Sequence, residues 1–148
     1  VRATLEEAGW SDDYHFDAAE WARVLEADGF SVTAPGVAAL EELGGLTIVP
    51  PRRSGAAYAS GPMIMKPLMR IGESPRIKLL EEALGRRMCP IGEWYNEYIL
   101  LVADDGSVYA ETTYQVRRLG NDLAEALHRM IVADARPEPI ELTDTGQA

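Results

Sequence analysis

The sequence holds one cysteine, Cys89, and two histidines, His15 and His128. A lone cysteine cannot close a disulfide within the chain, and it points to a reducing compartment, the cytoplasm. The three soft ligands are scattered along the sequence and match no paired zinc spacing, so no metal is expected. His128 reads instead as a cation near the end of a helix, where the dipole favours it. Cys89 reads as a small buried residue. Long apolar runs are missing as well. The longest aliphatic stretch, residues 99–103, falls far below the ~20 residues of a spanning helix, so no membrane partner is expected. Residues 1–7 carry no apolar signal-peptide core. There is no Gly-x-Ser-x-Gly elbow and no Gly-x-x-x-x-Gly-Lys phosphate loop. Acids pair as sequence neighbours, among them Asp12-Asp13, Glu41-Glu42, Glu81-Glu82 and Asp104-Asp105. A general acid–base dyad needs a shared pocket, which turns and solvated helix faces do not supply. The Asp104-Asp105-Gly106 turn also lacks the spaced oxygens of a calcium loop. No catalytic residue and no cofactor is expected, and the chain reads as a binding protein and not as an enzyme. Lysine is scarce too, two against twelve arginines, which reflects coding bias more than chemistry.

What is present suits one domain. The chain has 148 residues, 47% of them hydrophobic and 26% charged, enough apolar material for a core with an ordinary soluble surface. The expected domain spans residues 1–134, with a loose tail over 135–148. The net charge of −10 is unevenly spread: −8 over residues 1–49, +5 over 50–90 and −7 over 91–148. A net acidic protein repels a phosphate backbone, so nucleic acid is not an expected partner. A basic protein would be steered toward it instead.

Residues 4–9 read as a helical turn before Trp10. Asp17-Ala18-Ala19-Glu20 reads as a capping box opening a helix with Trp21, Val24 and Leu25 inward. Gly29 supplies a left-handed stop, and residues 30–32 alternate like a short strand. Pro35 opens a second helix with a Val37, Leu40, Leu43 stripe, ended by Gly44-Gly45. Residues 46–49 are strand-like until Pro50-Pro51 stops them, and residues 63–65 are a second short strand. Ser74-Pro75 reads as cap and first turn of a third helix, with Ile77, Leu80 and Leu84 inward and Gly85 at its end. Residues 88–91 enter a sheet at its edge, because Pro90 donates no hydrogen bond. Residues 92–96 look like a loop. The best strand spans 97–103, the Asp105-Gly106 pair suits a hairpin, and residues 107–112 return. Asn121 caps a last helix with Leu123, Leu127, Met130 and Ile131 inward. Clustered strands between helices predict an α+β fold, a mainly antiparallel sheet with helices packed on one face.

The densest feature is Glu93-Trp94-Tyr95-Asn96-Glu97-Tyr98, three aromatics among carboxylates. Alternate residues of a strand face opposite ways, so at least one ring is expected at the surface. Exposed Trp and Tyr beside acids fit a protein-binding hot spot; packing on the sheet is the alternative.

Several segments together resemble the third subfamily of the SUKH proteins. They are Gly9-Trp10, Trp21 on the following helix, Gly29-Phe30, and a helix ending in Gly44-Gly45-Leu46. Downstream, Pro90-Ile91-Gly92-Glu93 resembles the family's Pro-x-Gly-Glu segment. Residues 98–111 resemble its hairpin with an acidic turn and Val-Tyr, and residues 121–131 its closing helix. The resemblance covers residues 4–50 and 88–132. Two places depart from it: residues 11–14 replace a small basic loop, and residues 50–71 align poorly.

The resemblance implies an α+β fold, no catalysis, and an immunity protein of a polymorphic toxin system. Such proteins bind a cognate toxin, often a nuclease or deaminase, inside the producing cell. An acidic inhibitor would cover the basic cleft of a toxin domain by stoichiometric binding. The candidate partner-binding residues are Glu93, Trp94, Tyr95 and Glu97, with Asp104 and Asp105 as steering charges. A regulatory scaffold with another protein partner, as in some eukaryotic relatives, is the alternative. A ligand-binding or enzymatic pocket would need converging polar groups.

Overall fold

A computed structural model describes residues 1–141. Helices α1 (Arg2–Glu7), α2 (Ala19–Asp28) and α3 (Ala34–Leu43) come first, then strands β1 (Thr47–Ile48) and β2 (Met63–Ile64). A 3₁₀ turn (Pro67–Arg70) leads to α4 (Ser74–Leu84). Strands β3 (Met88–Trp94), β4 (Tyr98–Ala103), β5 (Val108–Glu111) and β6 (Val116–Gly120) follow, then α5 (Leu123–Val132) and β7 (Glu138–Pro139). The seven strands form one antiparallel sheet whose order along the sheet repeats the order along the chain. This is the α+β class expected from the sequence.

The helices start and stop where local chemistry says they should, with instructive shifts. Ala18, and not Asp17, is the N-cap of α2, so the expected capping box does not close; Asp17 instead accepts from the Ala19 N–H at 3.1 Å, and Gly29 takes φ +108° at the end of the helix. Leu25 is fully buried, but Val24 is 38% exposed, so the inward stripe is narrower than the spacing suggested. Residues 30–32 pair with no strand. They run extended into Thr33, whose Oγ1 accepts from Gly36 N–H at 3.0 Å as the cap of α3. The same hydroxyl donates to the Val102 carbonyl at 3.3 Å and fastens α3 to β4. Ser74 does not cap its own helix; its hydroxyl donates to the Asp28 carbonyl at 2.8 Å, tying α4 to the end of α2. Asp122, not Asn121, caps α5, accepting from Glu125 N–H at 2.8 Å.

Strand β3 is interior to the sheet, although Pro90 suggested an edge. Its first half pairs only with β4, since β2 meets β3 only at Glu93 and Trp94. Pro90 thus lacks a neighbour strand on its other side, and the register shifts between Pro90 and Gly92 as a bulge relieves the ladder. Residues 92–94 belong to β3 and not to a loop. Strand β6 carries no strand pattern in the sequence, because Arg117 and Arg118 break the apolar alternation. The segment expected as a loose tail contributes β7, paired to β6 through Arg117–Pro139 and Arg118–Glu138; residues 142–148 of that expectation lie outside the described residues.

Register fixes which helix covers which face. Cys89 pairs with Val102, and Gly36 of α3 lies against the Cys89 side chain. Glu111 pairs with Ile99 and is held by Arg76 of α4. Ile99 and Val102 are three residues apart in β4 and face opposite ways, so α3 and α4 lie on opposite sides. The packing therefore extends beyond one face, and β5 and residues 99–103 of β4 are buried throughout. A Cβ at Gly36 would sit 2.5 Å from the Cys89 Cβ, so only glycine lets α3 approach this closely.

Candidate functional site

The turn between β3 and β4 is built from two consecutive left-handed residues, Tyr95 (φ +62°) and Asn96 (φ +58°). Asn tolerates this region; a tyrosine there is strained and must be held. The Tyr95 N–H donates to the Pro62 carbonyl at 3.1 Å, and its ring lies across Gly61, where any Cβ would meet the ring at 2.4 Å. The Glu97 N–H closes the turn on the Trp94 carbonyl at 3.2 Å.

Trp94 is the hub beneath this turn and only 2% exposed. Ring centroids of Tyr95, Tyr98 and Tyr58 lie 4.9, 5.6 and 6.1 Å from its own. Its indole N–H donates to Ser60 Oγ at 3.3 Å, and the Ser60 hydroxyl passes on to the Met130 carbonyl of α5. Tyr58 and Tyr98 are fixed by their hydroxyls, which donate to Arg129 O at 2.6 Å and Gln115 Oε1 at 2.7 Å. Burial pushes the Tyr58 phenol up to about 12 and raises that of Tyr95 as well, so both rings stay neutral at physiological pH.

The outer sides of these rings line a groove of about 250 Å³, bounded by Tyr58, Trp94, Tyr95, Tyr98, Arg117 and Arg136. Arg117 is oriented by Gln115 Oε1 at 2.9 Å and the Pro137 carbonyl at 2.8 Å. Among the described residues, neither arginine has a carboxylate within ion-pair distance, so both guanidiniums reach the groove unneutralised; Asp134, whose charge is felt at Tyr58, lies against His128 Nε2 at 3.3 Å.

The acids of the aromatic cluster do not share this groove. Glu93 points through the other face of the sheet, as strand alternation requires. It is 7% exposed, and its Oε1 lies 3.0 Å from Arg70 Nε, off the hydrogen-bonding direction. Arg70 and Arg76 then share Glu73 at 2.9 and 2.7 Å, and Arg76 holds Glu111 by a forked bond with contacts of 2.9 Å. This network joins the 3₁₀ turn and α4 to β3 and β5. Its two ends respond differently. Desolvation outweighs the Arg76 bond and raises Glu111, whereas hydrogen bonding to Glu111 raises Arg76. The Glu111 side chain is the more deeply buried, so the cost of burying charge falls on it.

Glu97 is exposed at the tip, and its carbonyl accepts from Arg70 Nη2 at 2.9 Å. Asp104 and Asp105 sit at the opposite end of β4, roughly 20 Å away at the usual strand rise. Arg86 partly neutralises both, at 3.6 and 3.4 Å, and hydrogen bonds from Ser107 hold the Asp105 carboxyl below its ordinary range. The six candidate residues thus occupy three places: Trp94, Tyr95 and Glu97 at the turn, Glu93 buried behind it, and the two aspartates at the far end. Sequence reading missed Tyr58, Arg117 and Arg136, which meet the aromatics only through segments it had not assigned.

Among the described residues, no group of three His, Cys, Asp or Glu side chains is placed to hold a metal ion, and no helix is long and apolar enough to cross a membrane. Neither curated proteins nor solved structures give a match. The family model for the SUKH-3 immunity protein matches residues 1–133, from α1 through α5 and the first six strands. By that match, the chain belongs to the SUKH-3 immunity protein family, and its role is toxin immunity directed at a cognate toxin.

Proposed function

We propose that this protein neutralises its toxin by stoichiometric binding in the cytoplasm, with no catalysis of its own, and that the toxin acts on nucleic acid or nucleobases as a nuclease or deaminase. The match to an immunity family over residues 1–133 carries this reading. The charge distribution supports it. Glu6, Glu7, Asp12, Asp13, Asp17, Glu20 and Glu26 are all exposed in the first third of the chain, where only Arg2 and Arg23 offset them. Such a surface attracts a domain built to hold phosphates and speeds encounter.

At the β3–β4 turn, Tyr95 and Glu97 are the contact residues of this proposal, while Trp94 and Glu93 act from beneath by holding the turn. Asp104 and Asp105 steer from a distance. A standard interface of about 1,200–2,000 Å² with a few aromatic anchors suffices for tight inhibition. The test is binding of the full chain to the C-terminal domain of the nearest encoded secreted protein, across a salt series. One-to-one binding that blocks that domain's activity, with an association rate falling as salt rises, is expected. Absence of binding at every salt concentration would refute the immunity mechanism.

A further inference from the structure

We infer that the groove between Tyr58, Trp94, Tyr95, Tyr98, Arg117 and Arg136 is an anchor pocket for one apolar or aromatic side chain of the partner flanked by a carboxylate. The inference rests on the toxin-binding reading and reverses the charge expected at this spot. Its size comes first. A groove of about 250 Å³ falls below the ~300–1,000 Å³ of small-molecule sites and suits a single side chain. Its floor is rigid: Trp94 is pinned through Ser60 to α5, and Tyr95 is held in a left-handed conformation against Gly61. A pre-ordered aromatic floor loses little entropy on binding, which is how hot-spot pockets gain their energy.

Charge decides what the visitor carries. The two guanidiniums at the rim meet no carboxylate among the described residues, and Arg117 is aimed by Gln115 and Pro137 without being neutralised. The only acid of the turn itself, Glu97, lies exposed at the tip, and Glu93 is committed to Arg70 on the other face. A partner lysine would face like charge here, whereas an aspartate or glutamate would form charge-assisted bonds. The acidic N-terminal surface and this basic groove therefore address different parts of one partner: the first attracts its basic cleft, the second fixes the register.

The test is a heteronuclear NMR titration of the full chain with three probes: acetyl-Asp-Phe-amide, acetyl-Lys-Phe-amide and adenosine monophosphate. The Asp-Phe peptide is expected to shift the Trp94 indole N–H, the Tyr95 and Tyr98 amides and the Arg117 Nε–H. It should bind about tenfold more tightly than the Lys-Phe peptide, the scale of one charged hydrogen bond. Arg136→Gln should remove most of that preference while leaving the fold intact, since Arg136 is exposed and outside the ion pairs found. Equal response to both peptides, or no groove shift at about 10 mM, well above the ~1 mM dissociation constant expected of so small a contact, overturns the proposal. Tighter binding of the nucleotide also overturns it, in favour of a nucleotide site. A groove that takes the Asp-Phe peptide in a chain that binds no toxin domain would instead count against the immunity mechanism and leave the pocket standing.

Discussion

Replacing Gly61 by alanine should expose how the turn is held. An alanine Cβ would lie 2.4, 2.8 and 2.9 Å from Cδ1, Cε1 and Cγ of Tyr95. The Gly61 backbone itself accepts alanine, because its φ is not among the positive ones. The whole penalty therefore comes from the ring, which cannot swing away freely: its backbone is left-handed and bonded to Pro62, and Trp94 lies behind it. Overpacking of this kind costs about 1–3 kcal/mol. In a Tyr95→Ala background the obstruction is gone, and the same substitution should be neutral or stabilise by about 0.4–1 kcal/mol through the unfolded chain. The two substitutions should thus couple by roughly 1–3 kcal/mol, as contacting residues do. Urea denaturation of the four proteins, followed by far-ultraviolet circular dichroism, measures this. Tryptophan fluorescence is a poor choice because Tyr95 lies on Trp94 itself. If Gly61→Ala costs the same with and without the Tyr95 ring, Tyr95 does not rest on Gly61 and the account of the turn fails.

Trp94→Ala should cost about 3–5 kcal/mol of stability, since a fully packed indole leaves a cavity; a cost below about 1 kcal/mol in a urea titration would mean that Trp94 is not the hub described. Arg76→Met should cost about 3–5 kcal/mol by stranding the buried Glu111, and adding Glu111→Leu should recover most of it; no recovery in the double variant would refute the pairing. Burial pushes the Cys89 thiol up to about 11, from an ordinary value of 9.0. The unfolded chain therefore ionises first, so this contribution is complete below about pH 9 and is lost as pH rises through 11, a change of about 2–3 kcal/mol. Thermal unfolding across that window should show the loss, and Cys89→Ala should flatten the slope; an unchanged slope would assign it elsewhere.

Much of the fold was legible because its signals are local. Gly29, Gly44 and Gly85 end helices where the sequence says they must, and Asp104-Asp105-Gly106 turns β4 into β5. Capping residues were harder, since Ser74 and Asn121 hydrogen-bond elsewhere: Ser74 to Asp28, Asn121 to Arg118. Choosing between adjacent polar side chains needs the tertiary partner. Strand β6 failed for a different reason: its arginines face outward beside the aromatic groove and beside β7, and neither neighbour is close in sequence. The same gap hid half of the site. Strand alternation alone could have separated Glu93 from Trp94, because adjacent residues in a strand cannot serve one surface. What alternation could not supply was Arg117 and Arg136 on the aromatic side.

The match between strand order and chain order also shapes how this protein assembles. Each strand finds its partner in the next strand of the chain, and tight turns join β3, β4, β5 and β6, so the centre of the sheet should form fast for a protein built on a sheet. The tight turns on either side of β4 make β3, β4 and β5 the natural nucleus, with growth toward both edges. Other contacts span far more of the chain: Thr33 meets Val102, Tyr58 and Ser60 reach α5, and Val1 and Leu5 line one surface with Leu123 and Leu127. The seam of α1 with α5 spans the most chain of these and carries the largest closure entropy, so β3, β4 and β5 of a newly synthesised chain can pair before α5 has emerged to meet α1.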